Sequence, residues 1–328
     1  MIISKTPLRL SFVGGGTDFE GYYRVTPGKV ISTAINKYIY ITVTPHFDGY
    51  THLRYSKMEC VKNAWELKHD LVREALSWAG ISRAIEVVTI SDVPTNGCGL
   101  GSSGSLTVGL LNAFSSHIGL ETTKDYLAKE ACDLEIKRLK APIGKQDQYA
   151  ASFGGINLIT FEGDGEVEVK DLSDTAKSDK IKWLQDSSML FYLGTGRSSS
   201  AILEEHKLGI KNKMGTLNKQ AELVEEFYEW LHTDTKDNSI VGELVSQSWK
   251  YKIEMTPQAT NNRIDAIINM AMQAGAYGAK VCGAGSSGFL LVICEENKQR
   301  FVRKTLSTLM ELDFNFENRG TEIIYNED

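Results

Sequence analysis

The sequence PTNGCGLGSSGS, residues 94–105, places four glycines and three serines directly before a long apolar segment. The segment before it, AIEVVTISDVP, is rich in strand-forming residues, and the segment after it, SLTVGLLNAFSSHIG, has leucines and a phenylalanine at helical spacing. A glycine-rich loop at the start of a helix can wrap around a phosphate, because the first N–H groups of a helix lack internal partners and glycine has no Cβ. The order of strand, loop and helix therefore predicts a phosphate-binding loop. A flexible linker before a capped helix is the alternative.

Two well-known phosphate-loop signatures do not fit this stretch. A Walker A loop needs a lysine that is absent here. A dinucleotide-binding fingerprint needs an acidic residue at the end of a strand about 20 residues later, and the sequence has none in that context. The interpretation of this stretch as a phosphate-binding loop therefore depends on evidence from other parts of the chain.

Length and composition limit the class of protein. With 328 residues, of which 42% are hydrophobic, the chain can form a full core in one large domain or in two. A net charge of −6, without a basic stripe, argues against a nucleic-acid-binding protein. The five scattered cysteines include no CxxC pair and the six histidines show no ligand spacing, so we predict neither a disulfide framework nor a zinc site. We also predict no signal peptide and no membrane-spanning segment, which makes the cytoplasm the expected location.

The order of the predicted elements indicates an α+β fold with two domains. Strands dominate the first sixty residues, with KVISTAI and YIYITVTPH as two of them, and several long helices follow between residues 200 and 275. The strands do not alternate one by one with helices, which argues against a doubly wound sheet. We place the domain boundary near residue 180, between residues 1–180 and residues 181–328.

Two further glycine clusters stand beside predicted strands: TPLRLSFVGGGTDF at residues 6–19 and KVCGAGSSGF at residues 280–289. Together with residues 94–105, they resemble, in order and in spacing, the three motifs of the GHMP kinase superfamily, which includes galactokinase and the homoserine, mevalonate and phosphomevalonate kinases. The resemblance extends from Pro7 to Phe289. It implies an N-terminal domain like the second domain of a small-subunit ribosomal protein and a C-terminal ferredoxin-like α/β sandwich. It also implies that ATP binds the loop of residues 94–105 and that the third motif packs behind that loop.

Within the superfamily, the chain is most similar to the bacterial heptose 7-phosphate kinases. The shared segments are GGGTD, where galactokinases have G-E-H-T-D, and GKQDQYAASFGG and TGRSSSAIL further along. This likeness implies transfer of the ATP γ-phosphate to the C1 hydroxyl of D-glycero-D-manno-heptose 7-phosphate, for the synthesis of nucleotide-activated heptose. L-fucose kinases carry similar signatures, so a kinase for L-fucose or another hexose is the alternative. A non-catalytic sensor of ATP and sugar is a rival of another class, but it would require a broken catalytic set or an inserted segment in the glycine loop.

The resemblance implies roles for individual residues in the transfer reaction. Asp147 is the candidate general base for the acceptor hydroxyl, and Arg9 is the cation beside it. Magnesium would be held by Ser103 and Glu135. The spacing between Glu135 and Asp147 differs by one residue from that in mevalonate-type relatives, so Asp133 is an alternative ligand in a shifted helix register. The residues expected to hold ATP are Pro94, Gly97, Gly99, Leu100, Gly101, Ser102, Ser103, Gly104 and Ser105.

The resemblance also implies a set of residues for the sugar. Asp18 is the expected acceptor of hydrogen bonds from sugar hydroxyls, and Lys145 and Arg197 are the candidates for the 7-phosphate. The expected partners are ATP and a sugar phosphate, without nucleic acid or membrane, and the sequence leaves open whether the chain forms a homodimer. The full set of residues expected to bind the sugar is Gly15, Gly16, Thr17, Asp18, Lys145, Gln146 and Arg197.

Overall fold

The computed structural model describes residues 1–95, 97–195 and 199–327, and it confirms the predicted α+β fold. The strands are β1 (Ile2–Val13), β2 (Gly28–Pro45), β3 (Thr51–Arg54), β4 (Met58–Val61), β5 (Ile85–Ser91), β6 (Ile156–Phe161), β7 (Val167–Asp171), β8 (Ser188–Gly194), β9 (Gly278–Val281), β10 (Gly288–Ile293), β11 (Met310–Leu312) and β12 (Glu322–Asn326). The α-helices are α1 (Glu20–Tyr23), α2 (Asp70–Trp78), α3 (Ser102–His117), α4 (Lys124–Cys132), α5 (Gln146–Phe153), α6 (Ser178–Ser187), α7 (Ser199–Gly209), α8 (Met214–His232), α9 (Ser239–Met255), α10 (Asn262–Gln273) and α11 (Glu296–Thr305). A π-helical turn, Asp133–Arg138, continues α4. Among the helices of the described residues, none is both long enough and apolar enough to cross a bilayer.

The first sheet has eight strands in the order β12-β1-β2-β5-β3-β4, with β6 paired to β2 and β7 paired to β6. Its pairs are antiparallel except for β3 with β5. The two segments that the sequence predicts as separate strands form the single strand β2. A register shift opposite Pro7 and Leu8 of β1 accommodates Asn36 and Lys37, so the polar pair interrupts the pairing without ending the strand.

Helix α3 lies against β1 and β2, and small side chains allow the close approach. Ser4 Oγ donates to the Gly109 carbonyl at 2.9 Å, and Ser105 Oγ donates to the Pro7 carbonyl at 2.8 Å. A Cβ on Gly109 would lie only 2.8 Å from Thr6 Oγ1. These contacts hold the start of α3 beside the middle of β1, where the first motif lies.

The second sheet has the strand order β11-β8-β10-β9, and all of its pairs are antiparallel. Its side chains pack with α10 and α11 in a core of their own, which includes Phe191, Ile264 and Val302. A larger core joins the two halves of the chain. In that core Phe12 of β1 stacks on Phe227 of α8, with 5.5 Å between the ring centroids.

The third glycine cluster packs against the phosphate loop, as the sequence predicts. The Phe289 N–H donates to the Cys98 carbonyl at 3.1 Å. A Cβ on Gly283 would lie 2.6 Å from the Gly99 Cα, so this approach requires glycine. The second sheet therefore supports the phosphate loop directly through the backbone.

The two sheets divide the chain close to the predicted boundary. β7 of the first sheet ends at Asp171, and β8 of the second sheet begins at Ser188. The last strand, β12, nevertheless returns to the first sheet and pairs with β1. The division into residues 1–180 and 181–328 therefore stays a prediction.

Candidate active site

The glycine loop leads into α3 and lines a cleft. Gly101 directly precedes the helix with a φ of +75°, a left-handed conformation that costs glycine little. Because α3 begins at Ser102, the N–H groups of its first turn lack partners within the helix and point towards the loop. The loop residues that line the cleft are Thr95, Gly97, Cys98, Gly99, Gly101, Ser102 and Ser103, of which all but Thr95 and Cys98 were predicted to hold ATP. This part of the loop can bind a triphosphate.

The other four predicted ATP-binding residues do not line this cleft. Leu100 is buried and its carbonyl accepts a hydrogen bond from the Arg9 N–H at 3.0 Å. Gly104 and Ser105 are buried in α3, where the Ser105 hydroxyl contacts β1. Pro94 lines an adjoining pocket. These residues shape the loop, and their contact with ATP stays a prediction.

Arg9 and Asp147 form a salt bridge at the base of the cleft. Arg9 Nε donates to Asp147 Oδ1 at 2.8 Å, Arg9 Nη2 lies 2.7 Å from the same oxygen, and Arg9 Nη1 donates to the Gly99 carbonyl at 2.7 Å. Arg9 is 3% exposed, whereas the Asp147 side chain is 25% exposed. Burial alone would lower the pKa of Arg9, but the neighbouring Asp147 carboxylate raises it, so the guanidinium stays protonated. The structure thus brings together the two residues predicted to be catalytic.

Glycines allow Asp147 to lie this close to the phosphate loop. Asp147 stands in the first turn of α5. A Cβ on Gly104 would lie 2.8 Å from the Asp147 Cβ, and a Cβ on Gly101 would lie 2.9 Å from the Arg9 Cγ. The glycines of the motif therefore make room for the Arg9–Asp147 pair beside the loop.

Glu135 faces the glycine loop from the π-helical turn. It is 2% exposed, and its Oε1 accepts from Gln148 Nε2 at 2.8 Å. Burial raises the pKa of Glu135 to about 7, although the neighbouring side chains of Gln148, Ser103 and Thr107 lower it. Carboxylate and hydroxyl oxygens are ligands that Mg²⁺ accepts, and Ser103 and Glu135 line the same cleft. These two residues therefore fit a magnesium site.

The alternative metal ligand points elsewhere. Asp133 forms an exposed salt bridge with Lys137, with 2.8 Å between Oδ1 and Nζ. The helix here closes a wide turn in which the Leu139 N–H donates to the Leu134 carbonyl at 3.0 Å. Such a turn holds one residue more than an α-helical turn. Glu135 is therefore the residue of this segment that faces the loop.

Asp18 lines a second cavity, which Arg9 and Asp147 also line, and two backbone N–H groups hold its carboxylate in place. The Gly16 N–H donates to Asp18 Oδ1 at 3.0 Å, and the Gln146 N–H donates to Oδ2 at 3.2 Å. Asp18 is buried, and this burial raises the pKa of its carboxyl group. The carboxylate still has lone pairs that can accept from sugar hydroxyls.

The two glycines before Thr17 differ in their surroundings. Gly15 lines the cavity beside Asp18, and a Cβ there would lie 3.8 Å from Gln146 Nε2, an ordinary contact distance. Gly16 has a φ of +101°, and a Cβ there would lie 2.8 Å from the buried His206 Nε2. Gly15 thus leaves space in the cavity, whereas Gly16 is required by the packing of the loop.

Two predicted sugar-binding residues, Thr17 and Lys145, do not line the cavity. Thr17 is fully buried, and its hydroxyl oxygen accepts from the Lys29 N–H at 3.0 Å, so it joins its loop to β2. The Lys145 ammonium donates to the Gly165 carbonyl at 2.6 Å in the β6–β7 hairpin, outside the cavity. The prediction that these two side chains contact the sugar is therefore not supported by their placement. Arg197 lies outside the described residues.

Two cavities meet at the Arg9–Asp147 pair. One, of about 1690 Å³, is lined by the glycine loop and Glu135, and the other, of about 720 Å³, is lined by Asp18 and Gln146. Arg9 and Asp147 line both. A larger and a smaller binding space thus adjoin one carboxylate.

Further residues line the smaller cavity, most of them from the second half of the chain, and the sequence analysis did not identify them as site residues. Lys280 opens the third motif and Ser11 lies in the first, so a signal was present in the sequence for these two, but no motif marks the others. They are Ser11 from β1 together with Leu203, Gln220, Ser248, Trp249, Lys252 and Lys280.

A group of surface side chains lies outside the cleft, at the turn between β2 and β3. His46 Nδ1 lies 2.7 Å from Asp48 Oδ1, and His52 Nε2 lies 2.9 Å from Asp48 Oδ2. The chain spacing of the histidines did not predict this proximity, because the turn brings the two rings together. The hydrogen bonds to Asp48 account for the arrangement.

Comparison with known proteins agrees with this geometry. The profile described as "GHMP kinases N terminal domain" matches residues 54–155, and the profile described as "GHMP kinases C terminal" matches residues 223–311. A D-glycero-alpha-D-manno-heptose 7-phosphate kinase of Campylobacter jejuni is 28% identical, over 98% of this chain and 98% of that protein. An L-fucokinase/L-fucose-1-P guanylyltransferase of Bacteroides fragilis is 24% identical, over 94% of this chain and 36% of that protein.

A solved structure shares the fold over the full length. It is described as a D-glycero-D-manno-heptose 1-phosphate kinase from Bacteroides thetaiotaomicron, with a TM-score of 0.80 and 23% identity, and it covers 100% of both chains. At that identity the likeness supports the arrangement of the two sheets and their helices.

Proposed function

This chain belongs to the GHMP kinases and is an ATP-dependent carbohydrate kinase, and we propose that its acceptor is D-glycero-D-manno-heptose 7-phosphate. The γ-phosphate of ATP would go to the anomeric C1 hydroxyl, giving the 1,7-bisphosphate for nucleotide-activated heptose synthesis. The observation that carries the proposal is the position of the Arg9–Asp147 pair between the cavity of the glycine loop and the cavity of Asp18. The full-length similarity to the Campylobacter jejuni kinase supports the choice of acceptor.

In the proposed reaction, Asp147 accepts the proton of the acceptor hydroxyl. Both Arg9 nitrogens that reach the carboxylate contact Oδ1, and no donor among the described residues is hydrogen-bonded to Oδ2, so this oxygen is open to the hydroxyl. As the acceptor oxygen bonds to the γ-phosphorus, the bond from that phosphorus to the bridging oxygen breaks and ADP leaves. The permanent charge of Arg9 stabilises the negative charge on the transferring group.

The donor side of the proposed site is the start of α3. Backbone N–H groups of the glycine loop would bind the triphosphate, because the helix end is positive and the glycines admit the phosphates closely. Ser103 and Glu135 would hold Mg²⁺, which supplies positive charge to the phosphate oxygens when it is bound. The Arg9 contact with the Gly99 carbonyl fixes the loop relative to the catalytic carboxylate.

The acceptor side of the proposed site is the cavity of Asp18. Its carboxylate, oriented by the Gly16 and Gln146 N–H groups, would accept hydrogen bonds from sugar hydroxyls. Gly15 presents no side chain to the cavity, which leaves space for an acceptor with an additional carbon and a phosphate. The Gln146 side-chain oxygen is buried and has no hydrogen-bond partner among the described residues, so it can accept from a further hydroxyl.

A kinase for L-fucose or another hexose is the second candidate. Its support is the similarity to the L-fucokinase of Bacteroides fragilis, which covers 94% of this chain. This candidate keeps the same catalytic pair and changes only the acceptor, so the two functions differ in their need for a phosphate on the sugar.

The test is ATP consumption by the purified protein with Mg²⁺ and a panel of acceptors: heptose 7-phosphate, heptose, L-fucose, galactose and mannose. We expect turnover with heptose 7-phosphate, and we expect Asp147→Asn to lower kcat by roughly 10²–10⁴-fold. Preferred turnover of an unphosphorylated sugar would reject the proposed acceptor. ATP binding without turnover of any sugar would favour a sensor.

A further inference from the structure

Two lysines from the second half of the chain line the acceptor cavity. Lys252 lies near the end of α9, and Lys280 lies in β9, which packs beside that helix. Lys280 is 8% exposed, and its ammonium donates to the Phe12 carbonyl at 2.8 Å. Lys252 is partly exposed, and no residue in the ranges 1–95, 97–195 and 199–327 accepts a hydrogen bond from its ammonium. The cavity wall thus presents at least one ammonium group that is free to bind a ligand.

The charges that line this cavity do not balance. The cations are Arg9, Lys252 and Lys280, and the carboxylates are Asp18 and Asp147. Arg9 and Asp147 are paired with each other, so Asp18 alone faces the two lysines. The Asp18 carboxylate also accepts two backbone N–H groups. One positive charge therefore remains in excess on the described wall of the cavity, and an anionic ligand would neutralise it.

Two residues that line the same cavity, Ser11 and Gln220, carry buried polar atoms without partners. Ser11 Oγ and Gln220 Oε1 have no hydrogen-bond partner among the described residues. Gln220 is only 2% exposed, and the nitrogen of its amide, Nε2, donates to the Ser248 carbonyl at 2.8 Å. Buried polar groups are usually hydrogen-bonded, so such orphans indicate a missing ligand or water. A hydroxyl donor and an amide oxygen beside two ammonium groups suit a ligand that combines an anion with hydroxyl groups.

We propose that Lys252 and Lys280 bind the phosphate that the acceptor sugar carries at the end remote from the reacting hydroxyl, with the Ser11 hydroxyl as a further donor. This inference rests on the proposed function and names the residues that select a phosphorylated acceptor. It assigns the phosphate to lysines of the second half of the chain and replaces Lys145 in that role.

The environment of the lysines agrees with this assignment. Burial lowers the pKa of Lys252 and that of Lys280 to about 8, because an ammonium group in the cavity loses hydration. A bound phosphate would compensate for that loss. Asp18 raises the pKa of Lys252, while Arg9 lowers the pKa of both lysines.

The experiment compares Lys252→Met with Lys250→Met. Lys250 lies on the same helix and is exposed, so its variant removes the same charge without touching the cavity. The dissociation constants of heptose 7-phosphate and of unphosphorylated heptose are measured by calorimetry for the wild type and both variants, together with KM and kcat. Lys252→Arg tests rescue by a residue that keeps the charge.

We expect Lys252→Met to weaken binding of heptose 7-phosphate at least about ten-fold, the range for a hydrogen bond between charged groups. Binding of heptose and the KM for ATP should change little, Lys250→Met should behave like the wild type, and Lys252→Arg should recover part of the loss. If Lys252→Met weakened the binding of both sugars equally, or of neither, the inference would be overturned. The proposed function would still stand in that case, provided that the wild type prefers heptose 7-phosphate. A wild type that prefers unphosphorylated sugars would overturn both.

Discussion

Arg9 Nη2 lies 2.7 Å from Asp147 Oδ1, while Nη1 of the same guanidinium donates to the backbone of the phosphate loop. One buried side chain therefore fixes the distance between the carboxylate proposed to activate the acceptor and the loop proposed to hold the donor. Such an arrangement keeps the reacting groups aligned without a large rearrangement on binding.

Replacement of Arg9 by lysine tests this link. Arg9→Lys keeps the charge but loses the planar guanidinium, whose separate nitrogens reach Asp147 and the Gly99 carbonyl at the same time. We expect kcat to fall by roughly 10²–10³-fold, the usual loss for one stabilising donor, and the KM for ATP to rise as well. Steady-state kinetics with varied ATP measures both values. Arg303→Lys, at an exposed salt bridge, is the control, and an unchanged KM for ATP in Arg9→Lys would contradict the link to the loop.

Gly104 sets the distance between α3 and α5. In a helix, glycine to alanine usually stabilises by ~0.5–1 kcal/mol. At Gly104 a Cβ would lie 2.8 Å from the Asp147 Cβ and 3.1 Å from the Asp147 carbonyl carbon, so we expect Gly104→Ala to lower both kcat and the free energy of unfolding. Gly215→Ala is the matched control, because Gly215 lies in α8 with no atom within 4 Å of the added Cβ. Chemical denaturation and the kinase assay provide the measurements, and equal behaviour of the two variants would reject a role for Gly104.

Magnesium dependence separates Glu135 from Asp133. We expect Glu135→Gln to require a several-fold higher Mg²⁺ concentration for half-maximal activity, because it removes the charge of one of the two proposed ligands. Asp133→Asn removes a charge two residues earlier, at an exposed salt bridge, and should leave the Mg²⁺ dependence unchanged. Titration of activity with Mg²⁺ at saturating ATP distinguishes them. A larger effect from Asp133→Asn would show that the metal ligand was assigned to the wrong residue.

The acceptor affinity should depend on pH in a defined direction. The pKa values of Lys252 and Lys280 are lowered to about 8, and only the protonated amines attract a phosphate. The KM for heptose 7-phosphate should therefore rise as the pH is raised through about 8, whereas the KM for unphosphorylated heptose should not. The neighbouring charges also act on these lysines: Asp18 raises the pKa of Lys252, Arg9 lowers the pKa of both, and Lys252 lowers the pKa of Lys280. Lys252→Met should flatten the profile, and a profile with the same slope for both sugars would contradict the assignment.

The sequence predicts the parts of this site that local motifs encode. The glycine loop, Arg9, Asp18 and Asp147 each belong to a short motif whose geometry is set by neighbouring residues, and the structure brings them together. The fold class was likewise predictable, because strand and helix periodicities are local properties of the chain.

Features set by tertiary contacts were not predictable from the sequence. Lys145 stands two residues before Asp147, yet its side chain turns towards Gly165. Lys252 reaches the cavity only because α9 packs beside β9, and no sequence pattern carries that information. Thr17 belongs to the same motif as Asp18, but its hydroxyl is hydrogen-bonded to the backbone of β2 at Lys29.

The most direct test of the account is ³¹P NMR of the product formed from ATP and heptose 7-phosphate by the purified protein. The account predicts a second phosphorus signal that couples to the anomeric proton, with the original 7-phosphate signal retained, and no such product from Asp147→Asn on the same time scale. A new phosphate at another hydroxyl, or no product from heptose 7-phosphate while another sugar is phosphorylated, would contradict it.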